Sequence, residues 1–323
     1  MIPIIHQVKR SDHILIASHR DPDGDALGSL LALGLALSKM GKKTTLYNES
    51  TIPAVYLFLP AVKRVVHRVK QPSCYDTAFV LDCGDIRRLG SDWKTIGKIG
   101  CIINMDHHVT NTGFGDIQCV DTEACATSEI IYRLITAFGI PIDRHMATCI
   151  YTGILTDTGS FRFSNTNQAA FAISREMAEV GVEPYDIAQQ VFGTYSLGRI
   201  KLLNLALNSI EISSNGKLSI MTVTRRMLDM TGTHPEDVDG LINYARRIQD
   251  VKVAALIQEP KNGTGETPPR RKYHVSLRSD GSVDVAAIAS SFGGGGHYSA
   301  AGFQIETTLQ NLKSEIITLS EKF

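Results

Sequence analysis

Three short apolar runs, each ending in histidine or aspartate, constrain this chain more than any other feature of its sequence. HILIAS (13–18) is followed by His19, Asp23 and Asp25, TAFVLDC (77–83) carries Asp82 near its end, and GCIINMD (100–106) ends on Asp106 with His107 and His108 next. An unbroken apolar run of four to eight residues is how a strand buried on both faces reads, and such strands belong to parallel sheets covered by helices. The first run leads into a helical stretch at about 26–40 that Gly41 terminates. An α/β fold with a doubly wound, mostly parallel sheet is therefore expected. In such a sheet the ligand crevice lies at the carboxyl ends of the strands, and there the three clusters should converge.

One carboxylate at the end of one strand is ordinarily a helix cap or half of an ion pair. Three strands ending this way gather several anionic groups at one sheet edge, where they repel one another and resist desolvation, so the cluster calls for a cation. Imidazole and carboxylate without thiolate suit manganese, zinc or iron, and an oxygen-rich mixture leans toward manganese. Two ions sharing one carboxylate is an arrangement that hydrolyses phosphoesters.

Helical periodicity follows in ATSEIIYRLITAFG, RHMATCIYTGILTD and NQAAFAISREMAEVG, with Thr127 or Ser128 as the cap of the first. A further helical stretch at about 185–210 reads as a semi-rigid bridge. The expected organisation is a catalytic domain over 1–185, a helical linker over 186–210 and a smaller α/β substrate-binding domain over 211–323. In the last, KLSIMTVT, KVAALIQE and KYHVSLRS read as strands and PEDVDGLINYARRI as one helix entered at Pro235. NGTGETPPRRK (262–272) reads as a turn-rich, mobile loop.

Composition narrows the function classes. Apolar residues at 43% and charged residues at 20% are the proportions of a globular protein. Thirty-three basic residues balance thirty-three acidic ones, so no long-range field draws a large polyanion such as duplex DNA, and a nucleic-acid substrate should be small. The six cysteines form no C-x-x-C pair and read as buried reduced thiols. The N-terminal MIPIIHQVKRSDH carries charge too early and too short an apolar run for a signal peptide, and no run reaches ~18 apolar residues, so a cytoplasmic location away from membranes is expected.

SHRDPDGDALGS (18–29), LDCGDIRRLG (81–90), DHH (106–108) and TDTGSF (156–161) resemble, in this order, the four motifs of the DHH phosphoesterase superfamily. VSLRSDG (275–281) and SSFGGGGHYSAAGF (290–303) resemble the DHH-associated substrate-binding domain, and together the motifs resemble the nano-RNase/pAp phosphatase branch. The resemblance implies two divalent metal ions, manganese foremost. His19 and Asp23 would hold one ion, Asp25, His107 and Asp157 the other, with Asp82 bridging. Asp106 would orient a ligand imidazole, and His108 would face the phosphate as charge stabiliser or proton donor to the leaving oxygen. Gly24 and Gly28 read as turn glycines, with Ser29 near the positive end of the helix that follows. Asp21 and Asp85 read as solvated carboxylates or as residues that support the ligands from outside, and Arg88 reads as an ion-pair partner of Asp82.

The glycine run 293–296 lacks the lysine and hydroxyl of a nucleotide P-loop and the spacing of a dinucleotide fingerprint. With the resemblance it reads as an anchor: Arg278 grips a phosphate while Gly294, Gly295, Gly296 and His297 bind the substrate end, with Ser279 a lesser contact. Metals on one domain and an anchor on the other make a ruler. Expected substrates are short single-stranded oligonucleotides, dinucleotides such as pApA, and 3'-phosphoadenosine 5'-phosphate (pAp), with release of mononucleotides. Duplex DNA is excluded, and a homodimer is the assembly the family suggests. The rival readings are a cyclic di-AMP or pApA phosphodiesterase, a RecJ-like exonuclease, a pyrophosphatase and, from another class, an inactive nucleotide sensor. The last would be expected to have lost ligands that are all present here.

Overall fold

The computed structural model describes all residues except 70, 194, 260–270 and 322–323. Its contacts divide the chain into two compact units, Met1–Thr194 and Tyr195–Phe323. The loop expected at 262–272 lies outside the described residues up to position 270. Among the described residues no helix is long and apolar enough to cross a membrane.

The first unit holds β1 (His13–Ser18), β2 (Lys43–Tyr47), β3 (Val65–Val66), β4 (Thr77–Leu81), β5 (Ile102–Asp106) and β6 (Ile117–Val120). They pair in the order β3-β2-β1-β4-β5-β6, every neighbour parallel. The order reverses between β1 and β4, and at that switch point the strand ends diverge and leave a crevice. Ile14, Ile16, Phe79, Leu81, Ile103 and Met105 enter one core, while Leu15, Ala17, Ala78, Val80 and Ile102 enter a second. This period-2 division shows why the runs are mostly apolar: each face of the sheet is covered.

The helices of this unit are α1 (Ile2–Arg10), α2 (Gly24–Lys39), α3 (Trp93–Ile96), α4 (Thr127–Ala137), α5 (Arg144–Asp157), α6 (Gln168–Glu179) and α7 (Pro184–Phe192). α2 is buried on nearly every side, as a helix without a polar face must be. Gly24 and Gly28 are helical rather than turn residues. A side chain on Gly24 would overlap Thr156 of α5, and one on Gly28 would overlap the Cys149 carbonyl, so both let the two helix backbones approach. The thiols differ in exposure. Cys83, Cys125 and Cys149 are buried, but Cys101 and Cys119 are half-buried and Cys74 is exposed.

The second unit contains α8 (Leu197–Asn208), β7 (Glu211–Ile212), β8 (Leu218–Val223), α9 (Arg225–Thr231), α10 (Ile242–Arg246), β9 (Val253–Gln258), β10 (Arg271–Ser279), α11 (Val285–Ser291), β11 (Gly295–His297), β12 (Ala300–Thr307) and α12 (Leu309–Ser320). Its sheet runs β11-β12-β10-β9-β8-β7, with only β8 and β9 parallel. Two expectations change. The stretch at 185–210 is two helices, α7 and α8; the second starts at the Ser196 cap and buries Leu202 and Ala206 in the second unit's core. The segment entered at Pro235 is a 3-10 turn (Pro235–Val238) and then α10, interrupted where Gly240 takes φ 80°.

Candidate metal centre

Each strand end delivers its residues differently. Asp23 caps α2, its Oδ1 accepting from the amides of Asp25 (3.0 Å) and Ala26 (2.9 Å). His19 donates from Nδ1 to the Arg20 carbonyl at 2.8 Å, which leaves Nε2, 3.4 Å from Asp82 Oδ2, as the ring nitrogen that could ligate a cation. Asp82 takes φ 53°, a left-handed conformation in which aspartate is tolerated, and its amide donates to the Met105 carbonyl of the neighbouring strand. That backbone turn leaves the carboxylate at the switch point, 2% exposed.

Asp25 has the least expected surroundings. Its two oxygens accept from the amides of Thr127 (2.6 Å) and Ser128 (2.8 Å), the first two residues of α4. The cap of α4 is therefore a carboxylate from another helix, and neither the Thr127 nor the Ser128 side chain caps it. The N-terminal amides and positive helix end suit an anion better than a hydroxyl. The Thr127 hydroxyl is used elsewhere, donating to Asp82 Oδ1 at 3.0 Å.

His107 has Nδ1 against the Ala124 carbonyl at 3.3 Å and Nε2 3.7 Å from Asp82 Oδ1 and 3.6 Å from Asp157 Oδ2. The expectation that Asp106 orients a ligand imidazole is corrected. Asp106, fully buried at the end of β5, accepts from His108 Nδ1 at 2.7 Å and receives the Asn111 amide on its other oxygen. It orients His108, and a backbone carbonyl orients His107. Arg88 is exposed and forms no ion pair among the described residues; the pair nearby is Arg87 with Asp85, whose carboxylate also caps a 3-10 turn.

Ligand atoms of His19, Asp23 and Asp82 lie within 4.8 Å of one another, as do those of Asp25, Asp82 and His107, and those of Asp82, Asp106 and His108. Asp82 is common to all three sets. Burial raises the Asp25 carboxyl to about 7, helped by the charge of Asp82. Burial likewise raises Asp157 well above the carboxylate range, against the pull of His107. For His107 burial acts downward, but Asp157, Asp82, Asp25 and Asp106 outweigh it and lift the imidazole to about 9. Carboxylates this close, with imidazole Nε2 atoms turned toward them, fit divalent cations, which replace the protons the cluster otherwise retains.

A pH dependence follows from these shifts. A buried carboxyl raised from 3.8 to about 7 removes stability as pH climbs through that range, and an imidazole raised from 6.5 to about 9 contributes stability that is lost as pH climbs through 9. Both signs agree. Chelator-stripped protein is expected to melt at a lower temperature at pH 9 than at pH 6, with added manganese raising the melting temperature most at the alkaline end. A stripped protein that gains stability across that interval would contradict the shifts.

In the second unit, Arg278, Ala300 and His297 stand in one cross-strand row over β10, β12 and β11. Opposed residues share a face, so Arg278 and His297 lie on the same side of the sheet. Other anchor expectations are revised. Ser279 is 1% exposed and its hydroxyl accepts from the Gly281 amide, so it is a turn residue. Gly293 and Gly294 donate their amides to Ser290 and Ala289 at the end of α11, and a side chain on Gly294 or Gly296 would strike β12. Gly295 and Gly296 pair with Gly302 and Ala301. The run serves first as a close-packed hairpin.

The family model described as "DHH family, N-terminal domain" matches residues 13–154, and a DHHA1 domain matches 216–322. The bifunctional oligoribonuclease and PAP phosphatase NrnA of Thermus thermophilus is 33% identical over 90% of this chain and 83% of its own length. The chain belongs to the DHH family. The protein of the same name from Bacillus subtilis is 25% identical over 94% of this chain and 92% of its own. Among solved structures, an exopolyphosphatase-related protein from Bacteroides fragilis matches with a TM-score of 0.89 and 26% identity over 99% of this chain and 95% of that one. The two relatives named NrnA are phosphoester hydrolases by name.

Sequence reasoning named candidate ligands that the fold brings together, but missed the residues that support them. Thr127, Asn111 and Asn165 contact Asp82, Asp106 and Asp157. Asn111 lies three residues after the DHH motif, and that proximity was a usable signal. Thr127 lies 45 residues from Asp82 and had none.

Proposed function

We propose that this chain is a manganese-dependent phosphoesterase that degrades very short single-stranded oligonucleotides, among them dinucleotides such as pApA, to mononucleotides and dephosphorylates pAp. The observation that carries this reading is Asp82, a single buried carboxylate belonging at once to the His19–Asp23 and the Asp25–His107 ligand sets. The names of the relatives from Thermus thermophilus and Bacillus subtilis support the substrate class, and the balanced charge of the chain suits a small one.

In this reading His19, Asp23 and Asp82 hold one ion, and Asp25, Asp82, His107 and Asp157 hold the other. When bound, the ions supply Lewis acidity toward a phosphoryl oxygen and a water acidified enough to attack near neutral pH. His108, fixed through Nδ1 on Asp106, offers Nε2 to the leaving oxygen as proton donor. Its own partner keeps that ring from rotating away. On the second unit Arg278 receives a substrate phosphate through its guanidinium and His297 contacts the same end of the substrate.

The test is one substrate series, pAp, pApA and RNA of two to about ten nucleotides, assayed with purified protein in manganese. Rates should be highest on the shortest members and fall with length. Equal rates along the series would overturn the size preference, and no hydrolysis of any member would overturn the reading.

A further inference from the structure

We infer that Asn165, which lies outside the motifs that resemble the family, is the positioning residue that holds Asp157 as a metal ligand. The inference rests on the two-ion reading above. Asp157 is the last residue of α5, a 14-residue helix, so its carboxylate sits at the end of the helix where the dipole disfavours negative charge. It also stands 3.6 Å from the His107 ring and near the other carboxylates. A side chain so placed needs a donor to stay in position.

Asn165 is that donor. Its Nδ2 lies 2.9 Å from Asp157 Oδ2, 3.1 Å from the Asp157 carbonyl and 2.8 Å from the Cys125 carbonyl. All three neighbours are acceptors, so only one orientation of the amide works; the reverse would set oxygen against oxygen. The Oδ1 on the other side is buried and makes no hydrogen bond among the described residues. The contacts that fix this side chain are therefore those of its donating half.

The backbone that delivers Asn165 is built for the purpose. Gly159, Ser160 and Phe161 take φ of 57°, 61° and 62°, three consecutive left-handed residues of which two carry side chains that disfavour it. Thr158 secures them. Its hydroxyl donates to the Ile154 carbonyl at 2.7 Å and accepts the Phe161 amide at 3.1 Å, while its carbonyl accepts the amides of Arg162 and Phe163. The chain thereby folds back over Asp157 and continues to Asn167, which caps α6 and donates to Glu129 of α4. Through the Cys125 carbonyl, Asn165 also ties the end of α5 to the entry of α4, whose amides hold Asp25. One amide group braces the surroundings of two ligands of the same ion.

The test compares Asn165→Leu, of similar volume without a donor, and Asn165→Ala with the parent, all chelator-stripped and titrated with manganese under electron paramagnetic resonance to count free ion. The parent should bind two ions. Both variants should keep their circular dichroism, bind one ion with parental affinity and bind the other about 10–100-fold more weakly, the usual effect of removing a residue that orients a ligand. Two ions bound at parental affinity in both variants would overturn the inference. So would equal weakening of both ions alongside a lowered melting temperature, the signature of a purely structural role. A parent that binds fewer than two ions would instead remove the two-ion reading, and this inference with it.

Discussion

Replacing Asp82 by asparagine is expected to abolish binding of both metal ions and to lower hydrolysis of pApA by about a thousand-fold or more, since metal ions supply several kcal/mol of charge stabilisation in such reactions and each 1.36 kcal/mol is tenfold in rate. The substitution is chosen because the structure leaves little else to change. Asparagine tolerates the left-handed backbone that residue 82 adopts, its amide N–H can still donate to Met105, and its Oδ1 can still accept from Thr127. What disappears is the charge, together with the second oxygen that faces His19 at 3.4 Å. Asp23→Asn is the contrasting variant. Asp23 belongs to the His19 set alone, so that change should weaken one ion and leave the other. Manganese titration of the stripped proteins separates the two outcomes, and an Asp82→Asn protein that still binds two ions would remove the bridging role.

The central strands and the candidate ligands were legible in the sequence for one physical reason. β1, β4 and β5 are buried on both faces, so their composition is mostly apolar, with Asn104 the one polar residue inside β5, and their polar ends stand out. β2 and β6 escaped because Lys43–Tyr47 begins with polar residues and Ile117–Val120 alternates between half-buried and exposed positions at the edge of the sheet. β3 is two residues long. Short edge strands carry no periodic signal strong enough to separate them from loops.

The supports of the site were illegible for a different reason. Asp25 caps α4 across 102 residues of sequence, and a local reading of capping looks only to the residue before the helix. The same limit explains the glycines. Gly24 and Gly28 invited a reading as turn residues because two glycines beside a strand end ordinarily mark one, whereas their missing side chains are needed by α5, which lies more than a hundred positions downstream. The glycine run of the second unit was over-read in the opposite direction. Its amides looked available to a ligand, but two of them close the end of α11.

Gly153 carries the largest effect expected from the smallest change. It lies in α5 facing both the Ser128 side chain and Asp25, and a methyl group there would overlap the Ser128 hydroxyl and come within 2.8 Å of Asp25 Oδ1. Neither neighbour can retreat cheaply. Ser128 is the second residue of α4 and its amide holds Asp25, while Asp25 is pinned by two amide hydrogen bonds. Gly153→Ala would favour the helix by local propensity, by up to about 1 kcal/mol. Overpacking of a close-packed site costs about 1–3 kcal/mol, so the net result is destabilisation, read as a lower melting temperature. The displacement falls on the Asp25–His107 ligand set, so that ion should be lost while the His19–Asp23 ion is retained, and hydrolysis should fall with it. Parental metal binding and rate in Gly153→Ala would mean that the carboxylate moves freely, and that the contact between α2, α4 and α5 does not hold the centre in shape.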